Sequence, residues 1–162
     1  MTGSDDSVDF ALAAYREEGV WTVEELTHDH LGDVDSLATA LRRFPGDGGA
    51  LGLVAVDEDF FLIVRVAGAH TRVLLSDVSA AQAYELAGSA LDFLGLPIDD
   101  EDDDDQVPAG DLELLADLGM AAMDLGVLLD DDELYPDEML SDVATQLGFG
   151  ELFDDLVGLT SA

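Results

Sequence analysis

Two histidines close together are the metal-binding candidates in this sequence. His28 and His30 flank Asp29, and Asp33 and Asp35 follow within a few residues. Histidines at this spacing can share a metal ion from a strand or a loop, because imidazole and carboxylate groups are both common zinc ligands. A polar loop with Asp33 or Asp35 as the cap of a following helix explains the same residues, and we favour it. His28 and His30 therefore remain weak metal candidates, and no cofactor is predicted.

Two runs of consecutive acidic residues could bind cations. An EF-hand calcium loop needs a glycine at its sixth position and a glutamate at its twelfth. Counted from Asp100, these positions hold Asp105 and Asp111, so a calcium loop is not predicted. We predict instead that the acidic runs attract a basic partner. The interaction candidates are Asp99, Asp100, Glu101, Asp102, Asp103, Asp104, Asp105, Asp130, Asp131, Asp132 and Glu133.

No pattern of residues points to a catalytic site. The chain contains no cysteine and no G-x-S-x-G segment, and Ser89 falls in the middle of a predicted helix. The glycine-rich residues 46–52 precede a strand and lack the lysine of a phosphate-binding loop. Carboxylates are too numerous for any pair to stand out as a general acid and base. We therefore predict no catalytic residues and no enzymatic activity; an unrecognised carboxylate-based enzyme is the least favoured alternative.

The charge of the chain restricts its partners. The 162 residues include 38 acidic and only five basic residues, all arginines, so the net charge is −33. No basic residue follows Arg72. Nucleic acids are bound through a basic surface that displaces counterions, so direct nucleic-acid binding is not expected. Anionic membranes would also repel the chain. A basic protein is the expected partner, and the absence of cysteine and of a signal peptide fits a cytoplasmic location.

The hydrophobic pattern predicts the elements that position these residues. Strands are predicted at 8–15, 20–26, 51–56, 60–66 and 71–75, and helices after Asp33 or Asp35 and from Ser79 to about Leu94. The order ββαβββα with short connections favours an antiparallel sheet of about five strands with the two helices on one face. The fold class is therefore α+β.

The second half of the chain is predicted to be helical. Like charges repel in the run from Asp99 to Asp105, which we therefore interpret as a solvated linker. Pro136 and the acids after it are typical of a helix start. The predicted organisation is a flexible N-terminus (1–7), an α+β domain (8–96), an acidic linker (97–110) and a small helical C-terminal region (111–162). Apolar positions at helical spacing follow Pro136: Met139, Leu140, Val143, Ala144 and Leu147.

Several segments resemble one protein family. The segments are Ala109–Gly119, Leu134–Glu138 and Leu147–Phe153, together with Trp21, the apolar hairpin through Phe60 and Phe61, and Val73–Asp77. They are similar to the tRNA adenosine deaminase-associated proteins of actinobacteria, and the similarity covers about residues 8 to 157. The resemblance implies that the deaminase is the partner.

The chain itself lacks the residues that deamination needs. A zinc deaminase holds its metal with a His-x-Glu motif and a Pro-Cys-x-x-Cys motif, and neither occurs here. We therefore predict a non-catalytic acidic accessory protein that binds a basic protein, with a nucleic-acid-mimicking inhibitor of another basic protein as the alternative. Apolar residues that could fix the contact are Trp21, Phe60, Phe61, Tyr135 and Phe149, for which we favour a core position, as we do for Met120, Met123 and Met139.

Overall fold

The computed structural model describes residues 8–26, 33–43, 49–56, 60–67, 70–78, 84–95, 109–130 and 135–157. Within these ranges the strands are β1 (Val8–Glu17), β2 (Val20–Glu25), β3 (Ala50–Val56), β4 (Phe60–Ala67), β5 (His70–Leu75) and β6 (Ala109–Gly110). The helices are α1 (Val34–Leu41), α2 (Glu85–Leu94), a 3₁₀ helix (Leu112–Leu118), α3 (Ala122–Leu129), α4 (Pro136–Leu147) and α5 (Gly150–Val157).

The strands form one antiparallel sheet in the order β2-β1-β3-β4-β5-β6. The predicted α+β class and the order ββαβββα are confirmed. The additional strand is β6, whose two residues were assigned to the linker by the sequence. Gly110 has a φ of +123°, and a Cβ placed there would lie 2.1 Å from the Val73 carbonyl oxygen. Only glycine allows the chain to approach β5 this closely.

The first face of the sheet carries α1 and α2. Asp33 caps α1, since its side chain accepts a hydrogen bond of 2.7 Å from the backbone N–H of Ser36. The two helices are linked by Ser89, whose hydroxyl accepts a hydrogen bond of 2.9 Å from the N–H of Val34. Ser89 therefore has a structural partner. The buried residues of this face include Tyr15, Leu37, Leu41, Val54, Phe60, Leu62, Val64, Leu75, Leu86 and Leu91.

The C-terminal helices cover the second face of the sheet. The two predicted regions, 8–96 and 111–162, therefore share one hydrophobic core. This explains why β3 and β4 are apolar at almost every position: in a sheet covered on both sides, the two sets of alternating side chains are both buried. The buried residues of this face, which we call the second core, are Leu12, Ala14, Leu51, Leu53, Ala55, Phe61, Ile63, Leu74, Leu114, Leu115, Met120, Leu125, Leu140, Val143, Ala144, Leu147, Phe149 and Phe153.

Trp21 joins the edge strand β2 to the end of α4. Its indole N–H donates a hydrogen bond of 3.0 Å to the carbonyl oxygen of Leu147, and its ring centroid lies 4.6 Å from that of Phe149. The Arg16 guanidinium lies 5.5 Å from the Trp21 ring centroid, within the range of a cation–π interaction. One aromatic side chain thus joins the β1–β2 hairpin to the C-terminal helices, 126 residues further along the chain.

The predicted helix start at Pro136 is confirmed. Pro136 occupies the first position of α4, and the Glu138 side chain accepts a hydrogen bond of 3.0 Å from the N–H of Tyr135. By contrast, the segment Leu112–Leu118 is a 3₁₀ helix rather than an α-helix. The predicted start of the second helix at Ser79 lies outside the described residues, within which α2 begins at Glu85. No helix in the described ranges is long and apolar enough to cross a membrane.

Tyr15 is expected to make the free energy of unfolding decrease at alkaline pH. Its hydroxyl donates a hydrogen bond of 2.5 Å to the Glu24 carboxylate, which, together with burial and the charges of Glu24 and Glu17, raises the pKa of Tyr15 from 10.0 to about 12. The folded protein therefore keeps this proton to higher pH than the unfolded chain does. The resulting stabilisation is complete below pH 10 and is lost as the pH rises towards 12.

We therefore expect the free energy of unfolding to fall more steeply above pH 10 in the native protein than in the variant Tyr15→Phe, which has no proton to lose. Urea denaturation of both proteins at pH 9, 10 and 11 measures this difference. Equal pH dependence in the two proteins would show that Tyr15 is not stabilised in its protonated form.

Candidate partner-binding surface

Most of the acidic candidates lie outside the described residues. These are Asp99–Asp105, Asp131, Asp132 and Glu133, and the metal candidates His28 and His30 lie outside them as well. Asp130 is described: it is exposed and caps the C-terminus of α3. Within the described ranges, no three His, Asp or Glu side chains come close enough to hold a metal ion. The predictions for the acidic runs and for the histidines stay predictions.

α3 is apolar on nearly all sides but buries little of its surface. Leu125 is its fully buried residue, whereas Met123 is 80% exposed and Val127 is 66% exposed. A helix that is hydrophobic all round normally lies inside a protein. Exposed apolar side chains that adjoin one another are a typical feature of binding surfaces. The outer side of α3 is therefore the apolar surface that this fold leaves open to a partner.

The polar wall beside α3 is formed by α4. Leu140, Val143, Ala144 and Leu147 are buried, as the spacing of apolar residues in the sequence predicts. The opposite side of α4 carries polar residues, which face solvent. Between the two helices lies a groove of about 670 Å³, lined by Met120, Asp124, Val127, Leu128, Asp142, Thr145 and Gln146. We refer to these residues as the α3–α4 groove.

The groove combines apolar contact area with negative charge. Its apolar residues come from α3 and the turn before it, while Asp124 and Asp142 supply one carboxylate from each helix and are both exposed. Among the described residues, no arginine, lysine or histidine belongs to its lining. The residue types that line it suit contact with a partner that has an apolar strip flanked by cationic side chains.

The side chains proposed as possible anchors separate into core and surface. Phe60, Phe61 and Phe149 are buried, and Trp21 is partly buried against the second core, which bears out their core assignment. Tyr135 is 57% exposed at the start of α4, contrary to the core position that we favoured.

The three methionines also differ in burial. Met120 is buried, and Met139 packs partly buried against the same core. For Met123 the core interpretation was wrong, because α3 turns this side chain outward. Hydrophobic spacing reveals that a helix is apolar but does not say which of its sides finds a neighbour.

Comparisons with known proteins agree on one family. The family model described as "Rv3753c-like tRNA adenosine deaminase-associated protein" matches residues 9–150. Protein Rv3753c from Mycobacterium tuberculosis (strain ATCC 25618 / H37Rv) is 42% identical over 144 residues, which cover 88% of this chain and 83% of that protein. No solved structure matches the chain significantly. Since the match extends from β1 into α5, both faces of the sheet are included, and the chain belongs to the Rv3753c-like tRNA adenosine deaminase-associated protein family.

Proposed function

We propose that this protein is a non-catalytic accessory protein that binds a basic protein through the α3–α4 groove and the two acidic runs of its sequence. The family description associates its members with a tRNA adenosine deaminase. That enzyme is therefore the proposed partner, and the cytoplasm, where tRNA is modified, is the proposed location.

The observation that carries the proposal is the exposure of α3. In a chain of net charge −33, Val127 is 66% exposed and lines the groove together with Asp124 and Asp142, and Met123, one turn earlier on α3, is 80% exposed. Scattered apolar residues on a surface need no explanation, but two exposed ones a single turn apart on one helix, of which Val127 lines a concave groove, suit a contact site. The carboxylates at the groove favour a cationic partner over a neutral one.

The charge of the partner follows from its substrate. An enzyme that acts on tRNA must present basic residues to the phosphate backbone. Such a surface attracts a protein with a net charge of −33, and the attraction extends roughly 8 Å at physiological ionic strength. The same charge supports the alternative that the protein mimics a nucleic acid and inhibits another basic protein. A carboxylate-based enzyme stays the least favoured alternative, because carboxylates are too numerous in this chain for any pair to stand out as a general acid and base.

The double variant Met123→Ser, Val127→Ser is expected to bind the deaminase about 30- to 150-fold more weakly. Two apolar side chains that become buried in a complex contribute roughly 2–3 kcal/mol together. Because both side chains are exposed in the free protein, its melting temperature should change little. Isothermal titration calorimetry with purified deaminase measures the affinity, and circular dichroism measures the melting temperature.

A charge-matched pair of variants separates groove binding from general attraction. Asp124→Asn with Asp142→Asn removes two charges from the groove, while Asp35→Asn with Asp92→Asn removes two exposed charges from α1 and α2 on the other face of the sheet. Weaker binding by the first pair alone supports the groove. Equal effects of both pairs would contradict it and would leave only long-range attraction.

A further inference from the structure

The arginines of this chain gather at one end of the sheet. Arg65 on β4 lies directly opposite Arg72 on β5, and Leu51 of β3 is the next residue across from Arg65. Leu51 in turn pairs with Ala14 of β1, and Arg16 lies two residues further along the same strand. Since alternate residues of a strand share a face, Arg16, Arg65 and Arg72 all lie on the second face of the sheet.

A second group approaches the same end from the first face. Arg42 follows the end of α1, and its Nη2 donates a hydrogen bond of 2.9 Å to the hydroxyl of Thr71, the neighbour of Arg72 on β5. Positive charge is thus concentrated where β1 and β4 end and β3 and β5 begin. The whole chain carries 38 acidic residues and only five arginines, so this local concentration of arginine contrasts with the overall charge.

A cavity of about 410 Å³ opens beside this cluster. The ends of β4 and β5 form one side of it, and the 3₁₀ helix forms the other. Its lining residues are Arg65, Ala67, His70, Arg72, Glu113 and Ala116. We refer to it as the arginine pocket. His70 lies opposite Ala67 and on the same face as Arg72, so a third nitrogen-bearing side chain borders the space.

The two arginines of the pocket are held close together although they repel each other. Like charges directly opposite on neighbouring strands are destabilising. Arg65 is only 6% exposed, and its Nη1 donates a hydrogen bond of 2.9 Å to the carbonyl oxygen of Leu114. This contact fixes one edge of its guanidinium group at the base of the 3₁₀ helix.

Arg72 is held much less firmly. Its Nε lies 3.6 Å from a carboxylate oxygen of Asp111, which is too long for a hydrogen bond, and its side chain is 50% exposed. A planar guanidinium with five N–H donors keeps much of its hydrogen-bonding capacity in such an arrangement. A buried, fixed guanidinium opposite a half-exposed one is a suitable pair for an oxygen-bearing anion.

We propose that the arginine pocket binds a small oxyanion, a phosphate or carboxylate group, between Arg65, Arg72 and His70. Guanidinium groups bind both kinds of anion through paired N–H···O hydrogen bonds, with geometry that lysine cannot provide. Two carboxylates oppose binding, because Glu113 lines the same cavity and repels an anion, and Asp111 competes with an anion for Arg72. The site therefore has modest affinity, which neutralising Glu113 increases. The proposal is independent of the partner-binding groove, which lies between other helices.

The test is a titration of the full-length protein with inorganic phosphate and, separately, with acetate. Ionic strength is held constant with sodium chloride, because screening alone alters a protein of this charge. Binding is followed through the ¹⁵N resonances of the arginine side chains. Arg72→Gln is expected to weaken binding at least tenfold, and Glu113→Gln to strengthen it several-fold. Arg43→Gln removes the same charge from an exposed residue outside the lining and should leave binding unchanged.

Each outcome decides the proposal. Saturation by phosphate alone assigns a phosphate site, saturation by acetate alone assigns a carboxylate site, and saturation by both assigns a shared oxyanion site. Saturation by neither overturns the proposal, as does equal weakening in Arg72→Gln and Arg43→Gln. Glu113→Gln keeps the test valid if Arg72→Gln proves unfolded by circular dichroism, because unchanged or weaker anion binding in that variant would also overturn the proposal.

Discussion

Replacing Phe149 by alanine is expected to lower the free energy of unfolding by about 3–5 kcal/mol. Phe149 is 1% exposed and lies between Trp21 of the edge strand β2 and the other buried residues of the second core. Truncation removes the ring and leaves a cavity that rigid neighbours cannot fill. A loss of this size is a large fraction of the stability of an ordinary domain.

The same variant tests whether the sheet and the C-terminal helices unfold as one unit. Because the second core contains residues of β1, β3, β4 and β5 as well as α4 and α5, weakening it should shift one cooperative transition to lower urea concentration. Tryptophan fluorescence reports on β2, and far-ultraviolet circular dichroism reports on all elements. The two probes should give coincident curves.

The control is Leu152→Ala in α5. Leu152 is 43% exposed, so its truncation should cost roughly 0.5 kcal/mol or less. If Phe149→Ala instead produces two separate transitions, the C-terminal helices form an independent unit and the predicted division at the acidic linker is real in energetic terms. If the free energy of unfolding falls equally little in both variants, Phe149 does not lie in a packed core.

The apolar strands contained more information than the sequence-based prediction used. β3 and β4 show hydrophobic residues at consecutive positions instead of alternating with polar ones. In an antiparallel sheet with one solvent-exposed face, apolar and polar residues would alternate along each strand. Continuous hydrophobicity therefore implies that both faces are covered, and the C-terminal helices were the remaining elements able to cover the second one. Leu53 and Phe61 are the residues that this argument places under α4 and its neighbours.

Other features depend on contacts that no local pattern encodes. Arg65 and Arg72 are seven residues apart in sequence, and only the register of β4 with β5 brings them face to face. A hairpin longer or shorter by one residue would turn one of them to the opposite face. The arginine pocket further requires the 3₁₀ helix, more than 40 residues away, as its second wall. The exposure of Met123 likewise depends on which side of α3 meets the sheet.

The association of this protein with the deaminase is expected to be fast at low salt and to slow by roughly 100-fold or more as salt rises, because the charges that steer the encounter are screened. The acidic runs should supply the long-range attraction, and the α3–α4 groove should supply the short-range contact. Replacing Asp99–Asp105 by asparagine should therefore lower the association rate and its salt dependence and leave the dissociation rate nearly unchanged. The α3 variant Met123→Ser, Val127→Ser should do the reverse. Stopped-flow fluorescence at several salt concentrations separates the two rates.

Competition with tRNA then decides what the binding achieves. A protein that covers the basic tRNA-binding surface should raise the apparent Kd of the deaminase for tRNA, and the Asp99–Asp105 variant should raise it less. Deleting residues 99–162 is not a usable comparison, because it removes half of the second core and exposes the sheet. Substitutions in the full-length chain keep the fold intact. If the complex forms and tRNA affinity is unchanged, the protein binds another surface of the enzyme and mimicry of tRNA is ruled out. If no complex forms even at low salt, the deaminase is not the direct partner. A different basic protein is then the expected ligand of the groove.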